Sequence, residues 1–246
     1  MKGLFAQSIF ARFGWVHKHR PFSQYLDFKR TLKAAADAGL SVGEYIERKH
    51  SKGSVTPRDV TINGMKEAGV FDKPLGCVCE IGPGSGRYLE SVLSLCKPDS
   101  YEIYETSSEW RGWLVERYGV IAKRGDGRSL NETESSTVDL VQAHRLFHGL
   151  PTLITISYLL EMARVARPGG WLVFDLMTET CLESQHLKAW FDADPWTWDW
   201  SPIMTGRRYV LDLLAAAGVF LVSSFHVAMF PAVSECLILR KAGHAD

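Results

Sequence analysis

From about residue 76 onward, short apolar runs alternate with longer amphipathic stretches, which leaves few architectures open. CVCEIG (77–82), YEIYET (101–106), VDLVQAH (138–144) and WLVFDLM (171–177) have strand length, and a further strand is expected around VIAKRGD. RYLESVLSLC, SEWRGWLVERYG, ITISYLLEMARVA and RRYVLDLLAAAG read as helices. Two apolar runs, VFLVSSFHVAMF and SECLILRK, close the chain with a short turn between them, which implies an antiparallel last strand. Strands alternating with helices predict an α/β fold, a mostly parallel sheet covered on both faces.

Upstream of that pattern, residues 24–50 read as two helices broken at Gly39–Leu40. Ser41 is placed to N-cap the second, with Glu44 completing a capping box. The stretch SKGSVTPRDV is a loop leading into another short helix. Residues 1–61 therefore form a helical N-terminal cap and 62–246 the main domain. Residues 178–206, long and irregular, insert after the fifth strand as a lid.

The first strand ends in an acid and then runs into glycines at every second position, E-I-G-P-G-S-G, with Gly82, Gly84 and Gly86. In a parallel sheet, ligands bind beyond the carboxyl ends of the strands. A bare turn there lets a ligand approach the backbone and the helix N-terminus behind it. The dinucleotide fingerprint GxGxxG requires a third glycine at 87, where this chain has Arg87, so a dehydrogenase is disfavoured.

The GxGxG spacing after an acid resembles motif I of the class I S-adenosylmethionine-dependent methyltransferases. Glu105 at the end of the second strand, Gly125-Asp126-Gly127 after the third, RPGGWLVFD and the closing antiparallel strand follow the same family order. The resemblance covers roughly residues 62–241 and implies a Rossmann-like sheet binding S-adenosylmethionine. By position it sets Glu80 and the three glycines beside the methionine part of that cofactor. Glu105 would take the ribose and Asp126 the adenine. A plain strand-end acid at Glu105 and a turn former at Asp126 are the alternatives.

The methyl acceptor of this family lies above the fourth strand, where the chain reads Gln142-Ala143-His144-Arg145-Leu146-Phe147-His148. No Asn/Asp-Pro-Pro-aromatic motif stands there, which disfavours methylation of nucleic-acid amines. His144 suits a general base for a hydroxyl, or else caps the turn or packs under the cofactor. His148, four residues on, either orients His144, binds a metal with it, helps bind the acceptor or faces solvent, and Arg145 suits an anionic acceptor. Asp175, together with His144, is placed as a catalytic acid or as a ligand for a divalent cation such as Mg2+. Trp196 and Trp198, among the acids of the lid, suit sugar rings or flat aromatic acceptors, or form a packing cluster. Tyr45 is expected to close over the site from the cap.

These residues point to an O-methyltransferase for a small sugar or oligosaccharide, loosely resembling bacterial polysaccharide enzymes of the methylmannose type. An aromatic or carboxylate metabolite is the alternative acceptor. RNA is a more distant one, raised by eleven Lys/Arg against five Asp/Glu in residues 1–60 within a chain of zero net charge. Five cysteines without a CxxC pair suit a reducing compartment and give no zinc pattern. With no apolar stretch of spanning length and no convincing signal-peptide cleavage site, a cytoplasmic enzyme is expected, its oligomeric state open and a dimer one option.

Overall fold

A computed structural model describes residues 26–50, 55–183, 188, 203–229 and 232–243. Helices α1 (Phe28–Asp37) and α2 (Val42–His50) form a hairpin, and α3 (Pro57–Glu67) follows. Local chemistry sets their starts. Asp27 accepts from the Arg30 N–H at 2.7 Å. Ser41 and Glu44 exchange side-chain and backbone hydrogen bonds, and Thr56 and Asp59 do the same ahead of Pro57.

The sheet follows as β1 (Cys77–Ile81), β2 (Ser100–Tyr104), β3 (Ile121–Ala122), β4 (Val138–Ala143), β5 (Ala166–Leu176), β6 (Val219–Met229) and β7 (Ala232–Lys241). Between them run α4 (Arg87–Leu95), α5 (Ser108–Tyr118), α6 (Thr152–Val165) and α7 (Arg207–Ala216). Strand order is β3-β2-β1-β4-β5-β7-β6, and β7 alone runs against its neighbours. This is the doubly wound sheet with a reversed last strand that the alternation implies.

Side chains alternate between two cores, as a period of two requires. Cys79, Ile81, Val141, Leu172 and Phe174 pack under α6 and α7. Val78, Leu140, Val173 and Ile238 pack under α3, α4 and α5. Gly64 of α3 lets the Phe225 ring of β6 come so close that a methyl there would lie 2.2 Å from it.

Two expectations change in detail. The strand around VIAKRGD shrinks to Ile121–Ala122, with both residues exposed at the sheet edge. The RPGG stretch, which precedes the expected strand WLVFDLM, belongs to β5. It lies inside the strand at an irregularity, where the pairing jumps from Val138–Ala166 to Leu140–Trp171, five residues on β5 against two on β4. Gly170 is needed there because a side chain would fall 2.9 Å from the Val138 and Arg167 carbonyl oxygens.

Successive strands are laid down from β1 to β3 on one side, and the chain then crosses to β4 and β5 on the other. The crevice beyond the carboxyl ends of β1 and β4 is thus the topological switch point. Among the described residues no helix is long and apolar enough to cross a membrane.

Candidate active site

A cavity of about 570 Å³ opens at that switch point, well within the size range of small-molecule sites. Its floor is the turn after β1. Gly82, Gly84 and Gly86 all have positive φ, at 62°, 53° and 73°. A methyl at Gly86 would lie 2.6 Å from the buried Leu114, whereas one at Gly84 would meet nothing within 4 Å. The turn is therefore packed from below and open above, a cradle that only bare backbone supplies.

Glu105 fixes one end of this turn. Its Oε2 accepts from the Gly84 N–H at 2.9 Å and its Oε1 from the Ser107 N–H at 2.8 Å. Burial raises its pKa against the lowering effect of these donors. Glu105 lines the cavity, as does Gly127.

Asp126 does not line it. It is exposed, and its carboxylate accepts from the Arg128 and Ser129 N–H groups and the Ser129 hydroxyl, closing a turn. Glu80 also lies off the lining, buried in the sheet. Its Oε2 accepts from the Tyr101 hydroxyl at 2.5 Å and from the Gln142 amide at 3.1 Å. Burial outweighs these bonds and lifts its pKa to about 7.

The opposite wall comes from the segment after β4. His144 stacks on Tyr88 with ring centroids 4.2 Å apart, and its Nε2 is buried without a hydrogen-bond partner. Burial drops its pKa to about 4, against the pull of Asp175. His148 lines the same wall and is likewise lowered to about 4 by burial, with Asp175 opposing. Its Nδ1 lies 3.9 Å from Asp175 Oδ2.

Asp175, behind these rings, accepts from the Arg145 N–H at 2.5 Å through Oδ1. Burial works against its ionisation. His148, the Arg145 guanidinium and that N–H outweigh burial, so its carboxyl lies below the ordinary range. The same bond holds Arg145 at φ 60°, a left-handed conformation costly for a side chain with a Cβ. Arg145 lines the cavity and donates to the Ala228 carbonyl at 3.0 Å.

The expected Mg2+ site does not take shape from these side chains. Mg2+ takes oxygen ligands, whereas this wall offers one carboxylate, already holding an N–H, and two imidazoles. Among the described residues no group of three His, Cys, Asp or Glu is arranged to hold a metal ion. Tyr45 is half-buried on α2 and stays off the lining, while its neighbour Ile46 is on it. Trp196 and Trp198 lie outside the described residues.

Several lining residues carried no clear sequence signal. Leu26 and Ile46 come from the cap, and Tyr88 from the first turn of α4. Arg87 stood out only as the residue that breaks the dinucleotide fingerprint. The signal available for Tyr88 and Arg87 was their place at the start of the helix behind the glycine turn.

Residues 79–174 match the family model described as a methyltransferase domain. The chain carries an S-adenosylmethionine-dependent methyltransferase domain. The methyltransferase resembles, in fold, magnesium protoporphyrin IX methyltransferase (ChlM) from Synechocystis PCC 6803 with bound SAH. Identity is 14%, TM-score 0.57, and coverage 96% of this chain and 95% of that one. N-methyltransferase NodS from Bradyrhizobium japonicum WM9, in complex with S-adenosyl-l-homocysteine, aligns at 12% identity and TM-score 0.54 over 81% and 98% of the two chains. An O-methyltransferase family protein from Burkholderia thailandensis aligns at 14% identity and TM-score 0.54, over 92% of this chain and 66% of that one. These likenesses concern the fold, which serves O- and N-methylation alike. No curated protein sequence matches.

Proposed function

We propose that the methyltransferase moves a methyl group from S-adenosylmethionine to a hydroxyl of a small acceptor, with a sugar or oligosaccharide, such as a mannoside, as the leading class. The observation that carries the reading is the wall after β4. Two buried imidazoles, both uncharged at neutral pH, stand there with the Asp175 carboxylate behind them. A hydroxyl becomes a competent nucleophile only as its proton leaves, and an uncharged imidazole can accept it. Asp175 would stabilise the imidazolium that forms.

The cofactor, when bound, supplies the electrophilic methyl. The cavity fits it through the glycine cradle and through Glu105, whose carboxylate suits the two ribose hydroxyls. Asp126 would reach the adenine only by giving up bonds of its turn, so the main adenine contact is assigned to the backbone at Gly127. Glu80 supports the turn from within the sheet. His144 is the proposed base, with Arg145 and His148 at the acceptor. The tryptophans of residues 178–206 are assigned to acceptor binding on composition alone.

An aromatic acceptor is the second reading, favoured by the Tyr88–His144 stack and the apolar side chains of Leu146, Leu150 and Met229 on the same cavity.

The test uses methyl-labelled S-adenosylmethionine with fractionated extract and with defined mannosides and phenols, with and without chelator. Alkali-stable label in carbohydrate is expected, unaffected by chelator. Label confined to amines would refute hydroxyl transfer. With an acceptor in hand, His144→Ala is expected to lower turnover by about 10²-fold with little change in S-adenosylhomocysteine affinity. Near-normal turnover would remove His144 from the base role.

A further inference from the structure

We propose that Glu47 of the cap and Arg87 of α4 form a two-point receptor for an α-amino-acid zwitterion, and that the amino-acid end of the cofactor docks there. The proposal rests on the cavity being the S-adenosylmethionine site.

An ammonium and a carboxylate on one carbon both need charged or hydrogen-bonding partners when taken out of water. Among the described residues two carboxylate oxygens are buried without a hydrogen-bond partner, Asp175 Oδ2 and Glu47 Oε2, and of these two acids only Glu47 is bonded to an arginine side chain that lines the cavity. Glu105 holds the Gly84 and Ser107 N–H groups. Glu80 and Glu47 are both off the lining, and Glu80 Oε2 already holds Tyr101 and Gln142. Two arginines line the cavity, and Arg145 reaches away to the exposed Ala228 carbonyl.

Arg87 is placed differently. It is the first residue of α4, directly after the glycine cradle, so a carboxylate beside it also meets the positive end of that helix. Its side chain is 11% exposed, and its guanidinium lies 5.0 Å from the Tyr88 ring centroid. One of its N–H groups donates to Glu47 Oε1 at 2.6 Å, and a guanidinium carries five.

Glu47 is the complementary half. Its side chain is 3% exposed, and Oε2 is fully buried with no hydrogen-bond partner among the described residues. A buried carboxylate oxygen without a donor is costly, and an ammonium brings three donors. Ile46, the preceding residue on α2, lines the cavity, and Gly43, one turn back, lies against the Arg87 backbone and Glu90. Arg87 would therefore take the carboxylate with its remaining N–H groups, and Glu47 Oε2 the ammonium. Cofactor recognition would then be shared between the sheet domain and the cap.

The test compares S-adenosylhomocysteine with 5′-methylthioadenosine, which lacks the amino-acid part, by calorimetric titration of the full chain. Wild type is expected to prefer S-adenosylhomocysteine by about 100-fold or more. Glu47→Gln and Arg87→Gln are each expected to weaken it by about 10- to 100-fold, with 5′-methylthioadenosine unchanged. Equal weakening of both ligands would overturn the proposal and leave the pair as a latch between cap and domain. Unchanged affinity for S-adenosylhomocysteine in both variants would place the zwitterion elsewhere. A wild type that binds neither ligand would overturn the cavity assignment itself, and this proposal with it.

Discussion

At the scale of single residues, the glycine turn and its neighbours separate what sequence exposes from what it hides. Gly86 combines a φ of 73° with a Cβ position 2.6 Å from Leu114, which is completely buried. Gly86→Ala should therefore cost about 2–4 kcal/mol, from left-handed strain and overpacking together. Urea denaturation would show it as a lower midpoint at unchanged slope, and a loss below about 1 kcal/mol would mean the turn relaxes freely. The need for glycine here was legible because spacing after a strand is a backbone property. The bonds of Glu80 and Asp126 were not legible. Each is an acid at the expected place, yet Tyr101 and Gln142 claim the first and the Ser129 turn claims the second. Such partners are decided by strand register and turn geometry rather than by residue type.

At the scale of elements, the strands and helices of the sheet domain followed from periodicity because each buries one stripe or both faces in a large core. The short β3 and the irregular start of β5 did not, since edge exposure and a jump of five residues against two leave no mark on hydrophobic spacing. The way the cap attaches was equally hidden. Trp110 of α5 donates its indole N–H to the Leu26 carbonyl at 2.9 Å and meets the Phe28 ring edge-on at 4.9 Å. These contacts hold the start of α1 beside the part of the cavity near Ser107. Phe28 is half-buried, so Phe28→Ala should cost about 1–2 kcal/mol locally. Hydrogen exchange is expected to speed up about tenfold in α1 and stay unchanged in β1 and β4. Faster exchange throughout would mean that cap and sheet unfold as one unit.

At the scale of the whole molecule, the buried site couples stability to pH in two opposing ways. The Glu80 pKa rises from an ordinary 4.5 to about 7 on folding. A group that holds its proton more tightly when folded contributes stability below pH 4.5 and loses it as the pH climbs through 7. His144 and His148 fall from 6.5 to about 4, so the folded state holds fewer protons in between. Their effect is lost stability as the pH drops from 6.5 toward 4. Between pH 4.5 and 6.5 two imidazoles act against one carboxyl, and above 6.5 only the Glu80 slope remains, so these three groups favour a maximum near pH 6.5. Glu80→Gln isolates one term. An amide of the same shape still accepts from Tyr101 and Gln142 but cannot ionise. The stability difference between variant and wild type should move in favour of the variant by ~2–3 kcal/mol between pH 5 and pH 8. Urea midpoints at the two pH values would measure it. A constant difference would mean that Glu80 is already ionised at pH 5. In that case Tyr101 and Gln142, together with the turn they support, would be holding a buried charge and not a neutral acid.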